Sequence, residues 1–136
     1  MKHTTILFIT WLLVSLGISG VAHADVYVIA NPSVELSADN IRDVFIGEKL
    51  LVTGVKLAPV DNAGAQAEFL AKVMSLDIAK YSSIWTKKGF RDGLNPPDMK
   101  AADSDVILYV RQTPGAIGYI SAVPVTTTGF KIIKKY

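Results

Sequence analysis

The chain contains no cysteine, and its only two histidines, His3 and His23, lie within the first 24 of its 136 residues. Without cysteine there is no disulfide framework, no thiolate nucleophile and no lipid-anchored lipoprotein start. Beyond residue 24 imidazole is missing too. That removes the usual general base at neutral pH, the Ser–His and Cys–His nucleophile pairs, and the common zinc sites. A strong excess of one charge is also absent: 14 basic residues stand against 12 acidic ones, a formal net charge of +2. Nothing in that balance points to nucleic acid. There is no internal repeat and no low-complexity segment.

One long apolar run exists, at the beginning. Lys2 and His3 precede a mostly apolar stretch from Ile6 to Ile18, and Ala22-His23-Ala24 follows the small-x-small cleavage pattern. The stretch falls short of the roughly 20 residues a spanning helix needs, and Ser15, Gly17, Ser19 and Gly20 interrupt its end. Residues 1–24 are therefore expected to be a cleaved export signal. This predicts a periplasmic mature chain, residues 25–136, with no stable membrane insertion. A chain of that length is one domain with one core.

Along the mature chain, Val26 to Ala30 is a short continuous apolar run before Asn31-Pro32, which predicts a buried strand ending in a turn. Ser37 is placed to cap a helix with Ile41, Val44 and Phe45 on one face, stopped by Gly47. Val55 to Val60 reads as a second strand, and Pro59 places it at an edge or at its end. A helix opening at Gly64 turns Phe69, Leu70, Val73 and Met74 inward. Another from Asp77 carries Ile78, Tyr81 and Trp85 as a stripe. The glycines and prolines between Lys87 and Asp98 predict a loop. Ser104 is expected to cap a further helix with Ile107, Leu108 and Val110 as its apolar face. Ile117–Ser121 and Phe130–Lys134 are the last strands. The order β-α-β-α-α-α-β-β predicts a layered α/β domain with a parallel or mixed sheet. Ile29, Phe45, Phe69, Val73, Trp85, Val110 and Ile117 are its expected core.

Three short segments carry a family likeness. Val44-Phe45-Ile46-Gly47-Glu48-Lys49 resembles an Ile-Phe-x-Gly-Lys segment of the periplasmic phosphate ABC transporter substrate-binding proteins. Asp61-Asn62-Ala63-Gly64-Ala65 before Phe69 stands where that family carries Asp-Gly-Ser-Gly-Thr. Pro114-Gly115-Ala116-Ile117-Gly118-Tyr119 resembles its Gly-Ala-Ile-Gly-Tyr strand. The resemblance runs from Val26 to about Ala122 and implies a single lobe of a type II periplasmic-binding-protein-like fold, a mixed sheet flanked by helices. Full-length relatives close two lobes over their ligand, and this chain has room for one.

The candidate ligand site follows from loops at strand ends: Asp61, Asn62, Ala63, Gly64 and Ala65 in one, Asn31 and Ser33 in the other. A small-residue turn opening a helix leaves N–H groups that favour anions. The simpler reading is a plain strand-to-helix connection. The hydroxyls that the family brings to an oxyanion are Ala63 and Ala65 here, and Glu68 satisfies the helix dipole itself. Tyr81, Trp85 and Phe90 read either as core or as an aromatic platform, and Arg91 as an incidental surface charge or an anion contact. Asp103 and Asp105 read as helix-start charges rather than calcium ligands. Tyr119 is expected to turn its ring inward and its hydroxyl outward. Lys131, Lys134 and Lys135 form a basic end.

No catalytic residue, metal or cofactor is expected. The expected function is that of a non-enzymatic binding module whose partner is an envelope protein or a second copy. The alternative is a binder of phosphate or another small oxyanion whose site a second chain completes.

Overall fold

The computed structural model describes residues 24–136; the export signal read over residues 1–24 lies, but for Ala24, outside them. The described chain is an α/β layer structure. Its elements are β1 (Tyr27–Ala30), α1 (Ile41–Phe45), β2 (Leu51–Val52), β3 (Val55–Lys56), β4 (Ala58–Asn62) and α2 (Gln66–Phe69). A π-helical turn (Leu70–Met74) extends α2, and α3 (Ile78–Asp92), β5 (Asp98–Lys100), α4 (Asp103–Gln112), β6 (Ala116–Ile120) and β7 (Lys131–Lys135) follow.

Five strands make one mixed sheet in the order β5-β4-β6-β1-β7. β4 runs parallel to both β5 and β6, whereas β1 runs antiparallel to β6 and β7. Helices cover both faces, which is why β1 and β6 read as unbroken apolar runs. Alternation divides β6 between them. Ile117 and Tyr119 join the cluster holding Phe45, Phe69, Tyr81 and Trp85, while Ala116 and Ile120 join Val106, Ile107 and Val110 of α4. A Cβ on Gly118 would lie 2.6 Å from Val106 Cγ1, so a hydrogen there sets how closely α4 approaches the sheet. On the other face Phe45, Phe69 and Tyr119 pack as an aromatic trio, with Phe69 and Tyr119 stacked at 3.9 Å between centroids. Of the expected core, Val73 alone is half-buried; the other six residues are buried.

Several boundaries differ from the sequence reading. The strand expected over Val55–Val60 divides at Leu57. Its first part closes a hairpin with Leu51–Val52 around Thr53 and Gly54, both at positive φ, and its second enters the main sheet. Pro59 sits in an interior strand. Because Ala58 donates to Gly115 O on the β6 side, Pro59 turns its missing donor the other way, where β5 begins only opposite Val60.

The loop expected from Lys87 is helix as far as Asp92. Asp77 caps the start of α3 by accepting from Lys80 N–H, and the stop falls at Gly93, in the left-handed region, rather than at Gly89. Lys88, buried, holds that last stretch by an ion pair to Glu48 at 2.8 Å. Ile78, expected inward, is 49% exposed. Ala102 rather than Ser104 precedes α4, and Val106 faces inward while Leu108 is 53% exposed.

Candidate functional site

At the carboxyl end of β4 two polar residues are buried side by side, and strand alternation sends them to opposite faces of the sheet. Asp61 points to the α3 face, where Tyr81 and Tyr119 each donate a hydroxyl to one of its oxygens at 2.9 Å. Asn62 points to the α4 face. It donates to Asp103 Oδ1 at 2.8 Å and Tyr119 O at 3.0 Å, and Asp103 in turn accepts from Ser121 and Ala122. The pair pins β4 to β6 and to both helical layers.

Among the described residues no cation pairs with Asp61; both of its hydrogen-bond partners are neutral hydroxyls. Burial pushes its pKa up to about 6, against the lowering effect of the two tyrosines. Burial, reinforced by the Asp61 charge, raises both tyrosines as well. An acid raised in the folded state binds its proton more readily there than in the unfolded chain. Stability from this group is therefore fullest below the unfolded value of 3.8 and is lost as pH rises through about 6. The loss amounts to at most about 3 kcal/mol. Urea denaturation of wild type and Asp61→Asn from pH 4 to pH 7.5 checks this: the stability difference should move against the wild type as pH rises. A difference independent of pH would refute the assignment.

In the loop that follows, the N–H groups of Ala63, Gly64 and Ala65 are all occupied. Ala63 N–H donates to Lys100 O, Gly64 N–H to Asn62 Oδ1 and Ala65 N–H to Asn62 O, at 2.8 to 3.1 Å. These are three of the donors an anion would need. Asn31 and Ser33 are elsewhere. β1 and β4 run in opposite directions, so their carboxyl ends lie at opposite ends of the sheet. There Asn31 donates to Val110 O, and its Oδ1 accepts from the Ser33 backbone and hydroxyl. Ser33 Oγ accepts from Gly115 N–H. The fold thus places the two candidate loops apart, because strand order along the sequence does not reveal strand direction.

Beside Asp61 opens a cleft of about 730 Å³ between α3 and the segment leading into β5. Its walls are mainly apolar: Tyr81 and Trp85 below, Ile78 and Phe90 at the ends of the α3 stripe, Met99 across from them. Asp61 is the one charged side chain in the lining. Tyr81 and Trp85 are buried while Phe90 is 91% exposed, so the three expected aromatics divide between core and rim. Trp85 is fixed by donating to Phe45 O at 3.1 Å.

The remaining candidates are local. Arg91 forks onto its neighbour Asp92. Lys131 and Lys135 pair with Glu35 and Asp25 at 3.5 Å. The Tyr119 hydroxyl, expected outward, is buried on Asp61. The tyrosine–carboxyl–tyrosine bridge joins residues 20 and 58 positions apart. The sequence reading missed it, although its parts lay on the inward stripe and strand that the periodicity had marked.

Among the described residues, no helix is long and apolar enough to cross a membrane. No known family and no curated protein matches the chain.

Proposed function

We infer that the chain is a non-catalytic, exported binding module, akin to one lobe of the periplasmic phosphate-binding proteins, that docks an envelope protein in the cleft between α3 and β5. The observation that carries this reading is the cleft's rim. Ile78, Phe90 and Met99 are 49%, 91% and 50% exposed and surround one opening. Large apolar side chains gathered at an open concavity mark interaction surfaces. The chemistry of the chain agrees: beyond residue 24 it has neither histidine nor cysteine. The oxyanion alternative has less support, since three of the loop's N–H groups are already bonded and the nearest charge, Asp61, is negative.

A photo-crosslinker at Phe90, introduced in the exporting cell, should trap one discrete heterologous adduct. Ile78→Asp should abolish it, while a probe at Val125, outside the cleft, should trap none. Adducts of equal yield from both positions would count against the cleft. Phosphate titrated calorimetrically into the purified protein should give no binding tighter than about millimolar, near the weak end of specific affinities. Micromolar binding would restore a transport role.

A further inference from the structure

The geometry points to β5 as a self-pairing edge, through which two copies of this chain join antiparallel about Met99 into one continuous sheet. β5 ends the sheet, and no described residue pairs with its outer side. Lys100 turns its carbonyl to Ala63 N–H at 2.8 Å, so by strand alternation Met99 turns its N–H and C=O to the open edge. An isologous antiparallel pair centred there would exchange two backbone hydrogen bonds between the Met99 residues.

Charge selects the partner. In that register Asp98 of each copy lies directly opposite Lys100 of the other, twice over by symmetry. Both residues share the α4 face, where Lys100 Nζ lies 4.7 Å from the Tyr109 ring centroid. Opposite charges facing each other across strands stabilise pairing, and like charges oppose it. The other edge, β7, behaves in the opposite sense. Paired antiparallel with itself about Ile133 it would set Lys131 against Lys135, a like-charge register that disfavours association. The short length of β5 and the two prolines before it, Pro96 and Pro97, leave little edge for a long foreign strand to pair with. A short strand of complementary charge, such as β5 itself, satisfies the edge.

Apolar surface is available on both sides of the seam. Met99 lies beside exposed Phe90 in the cleft on the α3 face, and exposed Leu108 lies beside Lys100 and Tyr109 in a groove on the α4 face. The pairing stands independently of what occupies the cleft, although it would bring the two clefts to one seam.

The test is the solution mass of the exported protein by light scattering and sedimentation across a concentration series, with charge variants. Wild type should dimerise. Asp98→Lys alone and Lys100→Asp alone each create two like-charge pairs and should weaken the dimer about tenfold or more. The double variant Asp98→Lys/Lys100→Asp restores opposite charges and should recover it. Because the chain has no cysteine, Met99→Cys introduces a single thiol. In a hydrogen-bonded antiparallel pair the two Cα atoms stand about 5.5 Å apart, within disulfide reach. It should form one disulfide-linked dimer under mild oxidation, and Val125→Cys should not. A monomeric wild type throughout the series, or a dimer unmoved by either single reversal, would overturn the proposal.

Discussion

Gly115→Ala is expected to destabilise the fold by more than about 4 kcal/mol. The residue holds φ at +81°, and a Cβ there would sit 2.0 Å from Lys56 O and 3.1 Å from Lys56 C. Both obstacles are backbone, so no side chain can swing aside. Relief requires β3 or the turn itself to move by more than an ångström, and Gly115 O is the acceptor that seats Ala58 N–H at the start of the β4–β6 pairing. Positive φ alone costs alanine about 1–2 kcal/mol. Steric overlap of this kind adds several more and places the substitution above about 4 kcal/mol. That is a large part of the 5–15 kcal/mol typical of a domain. Gly93→Ala is the control. It has a similar φ of +67° with nothing within 4 Å of the new Cβ, and should cost only about 1–2 kcal/mol. Circular dichroism with urea midpoints for both variants measures the contrast. Equal effects would mean that φ, not contact with Lys56, governs Gly115.

That glycine was legible as a helix-to-strand turn because Pro114-Gly115 interrupts one period and Ala116–Tyr119 begins another. The same is true of β1 and α1, where apolar spacing and punctuation agree. What remained hidden is of two kinds. Weakly marked elements came first: β5 is three residues, two of them charged, and the β2–β3 hairpin has strands of two residues each around Thr53 and Gly54. Long-range geometry came second. Nothing local in Tyr27–Ala30 says that β1 runs against β4, so Asn31 and Ser33 were grouped with a loop at the far end of the sheet. The burial of Asp61 depends likewise on Tyr81 and Tyr119 converging from different elements. Within α3, Gly89 reads as punctuation. The ion pair from Lys88 to Glu48, which no helical period encodes, holds the helix together past it.

The buried trio of Phe45, Phe69 and Tyr119 links the core to the Asp61 bridge, and Phe69→Ala measures that link. Phe69 is fully buried, meets Phe45 edge-on at 4.7 Å and stacks on Tyr119 at 3.9 Å. Truncating a buried phenylalanine costs about 3–5 kcal/mol through lost transfer energy and the cavity left behind. Each aromatic pair contributes about 0.5–1.5 kcal/mol beyond area. Phe69→Leu keeps most of the volume and should cost much less. The ring also holds Tyr119 in the orientation that brings its hydroxyl to Asp61 Oδ1. Removing Phe69 should therefore weaken that hydrogen bond even though the two groups do not touch. A double-mutant cycle with Tyr119→Phe isolates the effect. That substitution deletes only the hydroxyl, and its cost should be smaller in the Phe69→Ala background than in wild type. The coupling expected for residues in one network is about 0.5–3 kcal/mol. Additive costs would show that the trio and the carboxyl bridge are separate. An unchanged urea midpoint for Phe69→Ala would show that the inward face of α2 does not support the fold. With coupling present, the aromatic packing is what keeps a charge-bearing carboxyl in place at the edge of an apolar cleft.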